Sequence, residues 1–259
     1  MGHVRMGTLS ASRKWTQVVE LLEEGAATER IAAASAEAAE HSLAGAARDP
    51  VFEEAAWLLM NLPLAARAPG YLVSLEALGL PVDREPSLFE LSASIAAALD
   101  TRGRTIGGRT DLGEMAQLAL VESLTGAIEP QLPTLFQAEP SEVRRALGRL
   151  SNGDRFASLA RDFFARLTQR CLDYFLSREL ANHVGAGRRF LSDAERRSFD
   201  SALALHCWET SRIIEAYAGG WYGKTVWQTD RLDRVAANRF ARYAFKKIRD
   251  ELARRRNVA

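Results

Sequence analysis

The sequence predicts an all-α protein, an irregular multi-helix bundle, and three observations carry that reading. Helix-start signatures recur along the chain. Apolar residues return at steps of three and four rather than two, and proline and glycine punctuate the runs. Only Tyr71-Leu72-Val73 invites a strand, and three residues are too few to make one.

In chain order, Asp49-Pro50 ahead of Val51-Phe52-Glu53-Glu54 supplies an N-cap, an N1 proline and first-turn acids that the helix dipole favours. Ser87 with Glu90, Asp111 with Glu114, and Ser192 with Glu195 have capping-box spacing, each before an apolar run. Breaks are expected at Pro63, Pro69-Gly70, Pro81, Pro130, Pro133, Pro140 and Gly185-Ala186-Gly187.

Two long amphipathic helices, at about 156–182 and 193–217, are expected at the centre of the C-terminal half. The first carries Phe156, Leu159, Phe163, Leu167, Cys171, Tyr174 and Phe175 on one face; the second carries Phe199, Leu203, His206, Thr210, Ile213 and Tyr217. Gly219-Gly220 reads as the glycine stop of the second.

Three segments follow: an alanine-rich, acidic lobe over 10–100, a Gly/Arg-rich linker over 101–110, and an aromatic-rich bundle over 111–259 ending in a basic helix. The three can also form one continuous domain.

The 259 residues are 47% hydrophobic, with a net charge of +1 and two cysteines, which excludes collagenous, disulfide-framework and disordered classes. The longest uncharged apolar run, Ala55–Ala66, is far short of the ~20 residues of a membrane span. Met1–Trp15 lacks the apolar core of a signal peptide. The expectation is a cytoplasmic protein with reduced thiols, no membrane segment and no cofactor.

The near-zero charge hides a dipole. Thr16–Glu54 holds nine acids against Arg30 and Arg48, a net of −7, whereas Asp230–Ala259 holds ten basic residues against four acids, a net of +6. Along that last segment Phe240, Tyr243, Ala244 and Ile248 form one face, surrounded by Arg239, Arg242, Lys246, Lys247 and Arg249. Cations interleaved with aromatics suit a nucleic-acid backbone. They equally suit a terminal helix docked by its aromatic face; an acidic partner, such as another copy's N-terminal lobe, comes third.

Ala218-Gly-Gly-Trp-Tyr-Gly-Lys224-Thr225 satisfies a loose phosphate-loop expression, but a long helix precedes it where a strand is needed. Lys224 and Thr225 are therefore weak nucleotide candidates, and Trp221, Tyr222 and Trp227 read better as an aromatic corner for packing or docking. His206 and Glu209, three apart on a helix, are a weak metal candidate; the adjacent Cys207 points about 100° away from His206. A Cys171 or Cys207 nucleophile with His183 has no sequence support, and His183 reads as a helix C-terminus. Arg102, Arg104 and Arg109 could hold a phosphate ahead of the helix at Asp111, or belong to a solvated linker.

Together these features predict a non-enzymatic helical subunit or adaptor of a bacterial multi-protein complex, with other protein subunits as partners. A nucleic-acid-directed system, such as defence against phage or mobile elements, is its expected setting. The alternative is a nucleic-acid-binding helical protein acting through the basic C-terminal helix. A nucleotide-binding enzyme using 218–225 comes third.

Overall fold

A computed structural model describes residues 12–40, 43–44, 48–133, 138–229 and 232–255. Asp230, Arg231 and Arg256 of the basic segment, and most of Met1–Trp15, lie outside the described residues. Among the described residues every regular element is helical, with an isolated bridge between Val184 and Phe190 in a connecting loop. The chain runs α1 (Arg13–Glu23), α2 (Thr28–Ala38), α3 (Pro50–Arg67), α4 (Tyr71–Ala77), α5 (Leu88–Thr105), α6 (Asp111–Ile128) and a 3-10 turn (Glu129–Gln131). There follow α7 (Pro140–Arg149), α8 (Gly153–Asn182), α9 (Asp193–Thr210), α10 (Arg212–Thr229) and α11 (Arg234–Arg255). Tyr71-Leu72-Val73 opens α4, so no strand forms there.

Local caps are where the sequence places them, with one shift. Asp49 accepts from the Val51 and Phe52 amides, and Ser87 and Glu90 form a reciprocal capping box. The Ser87 backbone amide, then Arg84, then the Ser87 hydroxyl hold the Glu90 carboxyl down at about 2. At α6 the N-cap is Thr110, which accepts from Gly113 N, and Asp111 is the first helical residue. Asp49→Ala removes the acceptor for two orphan amides at the start of the most buried helix; the expected loss is about 1 kcal/mol in denaturant unfolding at constant m-value.

α3 and α8 form the centre. Fourteen of the 18 residues of α3 are buried, as expected of a helix that is apolar all round. Pro63 lies inside α3 rather than at a break, because packing on every side holds the helix through the missing amide. Its C-terminus is completed from α7: Arg144 donates to the carbonyls of Ala66 and Ala68 and to Glu85. Around these two helices the buried apolar residues form a single cluster drawn from α1 through α11.

Three expected boundaries move. The segment 101–110 is no detached linker: α5 continues through Arg102, Gly103 and Arg104 to Thr105, and Gly103 is buried against Val51 of α3. The helix expected over 193–217 breaks at Ser211. There the Thr210 hydroxyl bonds back to the His206 carbonyl and the Ser211 hydroxyl to that of Trp208. Arg161 of α8 adds two donors to the same Trp208 carbonyl, completing the end of α9. The expected stop at Gly219-Gly220 is instead the interior of α10. A Cβ on Gly219 would come within 2.9 Å of the Gly153 carbonyl, so glycine serves backbone-to-backbone contact between α10 and α8.

One polar contact in the α8–α9 seam makes stability depend on pH. Asp173 sits beside Asp200, with Arg170, Arg196 and Gln169 nearby, and burial first, then Asp200, push its carboxyl up to about 6. The native state therefore binds this proton more tightly than the unfolded chain, whose aspartates titrate near ~3.9. The contribution favours folding at low pH and is lost as pH rises from about 4 to about 6. Asp173→Asn is expected to raise stability at pH 7 by ~1 kcal/mol, discounted for partial exposure, with little gain at pH 4. Equal gains at both pH values would contradict it.

Candidate partner-binding surface

The last two helices form an antiparallel hairpin whose inner faces are aromatic. Trp221 stacks on Phe240 with ring centroids 4.4 Å apart, and Tyr217 meets Tyr243 edge-on at 5.3 Å. Below them Tyr222 is fully buried, stacked on Phe156 of α8 at 3.7 Å, and donates its hydroxyl to the Met60 carbonyl of α3 at 2.8 Å. Trp221, Tyr222 and Trp227 thus occupy one helix and make no corner. Tyr222 anchors the core, Trp221 braces α11, and Trp227 stands 89% exposed.

The basic face of α11 divides into engaged and solvated cations. Arg234 pairs with the buried Glu54 and stacks over Trp57; Arg242 and Asn238 bind Glu53; Arg249 donates to the Glu40 carbonyl. The −7 and +6 segments therefore meet within one chain, which accounts for part of their separation in sequence. Phe240, Ala244 and Ile248 are buried as the docked-helix reading requires, but Tyr243 is 48% exposed. Lys247 lies over the Tyr243 ring, 5.4 Å from its centroid. Arg239 and Lys246 are exposed and form no ion pair among the described residues. Val235, Arg239, Tyr243 and Lys246, at steps of four, four and three, make one outward stripe.

α10 presents a matching outer face. Ala216, Gly220, Gly223, Lys224 and Trp227 are all exposed, at helical spacing. A Cβ on Gly220 or Gly223 would meet nothing within 4 Å. Each glycine in a helix interior costs about 1 kcal/mol relative to alanine, and nothing inside this chain requires either one. The result is a side-chain-poor track ending at an exposed tryptophan and flanked by cations.

The remaining sequence candidates fall elsewhere. The phosphate-loop-like residues are helical, so their backbone amides are directed along the helix and cannot cradle a phosphate; Lys224 points to solvent and the Thr225 hydroxyl bonds to the Trp221 carbonyl. His206 is buried and Glu209 exposed, and among the described residues no group of three His, Cys, Asp or Glu is placed to hold a metal. Cys171 and Cys207 are buried, and burial pushes both thiols up, away from the thiolate a nucleophile needs. His183 caps α8, its Nε2 3.4 Å from Glu179. Arg102 faces Glu54, Arg104 bonds to Thr101, and Arg109 faces Asp100 and Glu114, so these three guanidinium groups do not converge. No described helix is long and apolar enough to cross a membrane.

Two features were missed by reading the sequence. The track on α10 is legible as small residues, Ala216, Gly220 and Gly223, at steps of four and three inside a helical pattern, but the Gly219-Gly220 pair within it also has the form of a helix stop. A cavity of about 700 Å³ between α6, α7 and α8 is assembled from distant segments and left no local trace. Set against protein-family models, curated proteins and solved structures, the chain matches none.

Proposed function

We propose that the protein is a non-catalytic helical adaptor, whose partner-facing surface is the outer side of the α10–α11 hairpin. The observation that carries this reading is the track of Ala216, Gly220 and Gly223 leading to Trp227. Small residues let a second helix approach the backbone closely, and an exposed tryptophan is the side chain most enriched among interface anchors. Phe89 of α5 also stands beside exposed small residues, Ala93 and Ala97, but that run holds no glycine, so a partner helix cannot come as close to its backbone. Lys224, Arg239 and Lys246 at the margins select a partner helix bearing acidic residues.

Gly220→Gln with Gly223→Gln tests this directly. Both replacements favour the helix, so the isolated protein should gain about 0.5–1 kcal/mol per site. The partner that co-purifies with the wild-type chain from its native host should be lost, as it should with Trp227→Ala at unchanged Tm. Retention of that partner by both variants would refute the proposal.

Nucleic acid is the second reading, supported by Tyr243 between Arg239 and Lys246. Engagement of Arg242 and Arg249 by the chain's own acidic half weighs against it. It predicts binding to labelled single strand or duplex that falls steeply with salt and disappears with Arg239→Glu, Lys246→Glu and Lys247→Glu combined.

A further inference from the structure

The cavity of about 700 Å³ lies away from the hairpin's outer face and has the size of a small-molecule site. One wall is α6, where Ser123, Gly126 and Ala127 face the space. Gly126 is helical and a Cβ there would meet nothing within 4 Å, so its missing side chain is what keeps that wall open. Ser123 is 1% exposed, and its hydroxyl has no hydrogen-bond partner among the described residues, an orphan polar group set in an otherwise apolar wall. Leu150, the C-cap of α7, Leu159 of α8 and Trp208 of α9 add apolar lining.

Charge at the cleft is uneven. Arg166 is committed, its guanidinium donating to Asp162 and Glu122. Arg149 and Arg155 are exposed beside the opening, and Arg155 donates only to the neutral Gln131, at 3.2 Å. Neither forms an ion pair among the described residues. Asp154, in the first turn of α8, adds one negative charge to the same lining. Two uncommitted guanidinium groups against one carboxylate leave room for a single negative charge.

We propose that this cleft binds a small molecule with a flat apolar body and one carboxylate, the body lying between the Gly126 wall and Leu150–Leu159 and the carboxylate meeting Arg149 and Arg155. Arginine suits a carboxylate through paired parallel N–H donors. The open wall admits a ring, and the Ser123 hydroxyl offers the ligand a polar contact within that wall.

Isothermal titration of the full chain with 1-naphthoate is the test, with 1-naphthol and 1-naphthyl phosphate as comparison ligands. The expected result is 1-naphthoate binding with a Kd below ~1 mM, at least tenfold tighter than 1-naphthol. Gly126→Leu should abolish it at a Tm no lower than wild type, because leucine favours the helix and nothing occupies the space its side chain would enter. Arg149→Glu with Arg155→Glu should weaken it at least tenfold. No binding at several millimolar, or an unchanged Kd in Gly126→Leu, would overturn the site. Tighter binding of 1-naphthyl phosphate than of 1-naphthoate would overturn the carboxylate assignment.

Discussion

Tyr222→Ala is expected to cost about 3–5 kcal/mol, the range for removing a large aromatic side chain from a packed core. The residue is fully buried, its ring stacks on Phe156, and its hydroxyl is the donor to the Met60 carbonyl, so one side chain joins α10 to both central helices. For a chain of this size the loss corresponds to a fall in Tm of roughly 10 °C or more. Tyr222→Phe keeps the stack and removes only the hydrogen bond, so about 1 kcal/mol is expected. A Tyr222→Ala protein that melts within 2 °C of wild type would mean that the segment is not packed in the core.

Gly219→Leu is the second large effect. The Gly153 carbonyl stands 2.9 Å from where a Cβ would sit and the Gly153 carbonyl carbon 3.2 Å, and backbone cannot give way as a side-chain tip can. Overpacking typically costs about 1–3 kcal/mol, and against immobile backbone the upper end or more is expected. The adjacent position gives the contrast. Gly220→Ala should stabilise by about 0.5–1 kcal/mol, since α10 is helical there and nothing adjoins the new methyl group. Were Gly219-Gly220 a helix stop, alanine at Gly220 would gain nothing from helix propensity. Urea unfolding of the pair, read as opposite shifts in midpoint at constant m-value, separates the two conformations.

These glycines show where local reading succeeds and where it stops. The Asp49 and Ser87 caps were legible because a cap is made of residues within four positions of each other. The break at Ser211 was not, because it depends on Arg161, fifty residues earlier in the chain, completing the end of α9. Pro63 and Gly219 both read as breakers, and both lie inside helices because packing outweighs local propensity. The cationic residues of α11 were found from composition alone. Which of them remain solvated was set by Glu53, Glu54 and the Glu40 carbonyl, some 180 to 210 positions away in sequence.

The engaged cations also change what the charge dipole implies. A salt-dependent clasp of Arg234 on Glu54 and Arg242 on Glu53 holds α11 against α3, while Arg239, Lys246 and Lys224 face outward. Burial of Phe240, Ala241, Ala244, Phe245 and Ile248 supplies most of the adhesion of that helix, at roughly 25 cal/mol per Å² of apolar surface. The outward cations contribute little to folding stability, and under the adaptor proposal they serve recognition.

Site-specific photocrosslinking in the native host tests the adaptor proposal most directly. A benzophenone side chain placed at the exposed Val235, on the outer stripe of α11, leaves Trp227 in place and is expected to give one discrete protein adduct, absent when Gly220→Gln and Gly223→Gln are combined with it and absent when the probe is moved to the exposed Ser141 of α7. A nucleic-acid adduct at position 235, or a protein adduct indifferent to the two glycine replacements, would contradict it.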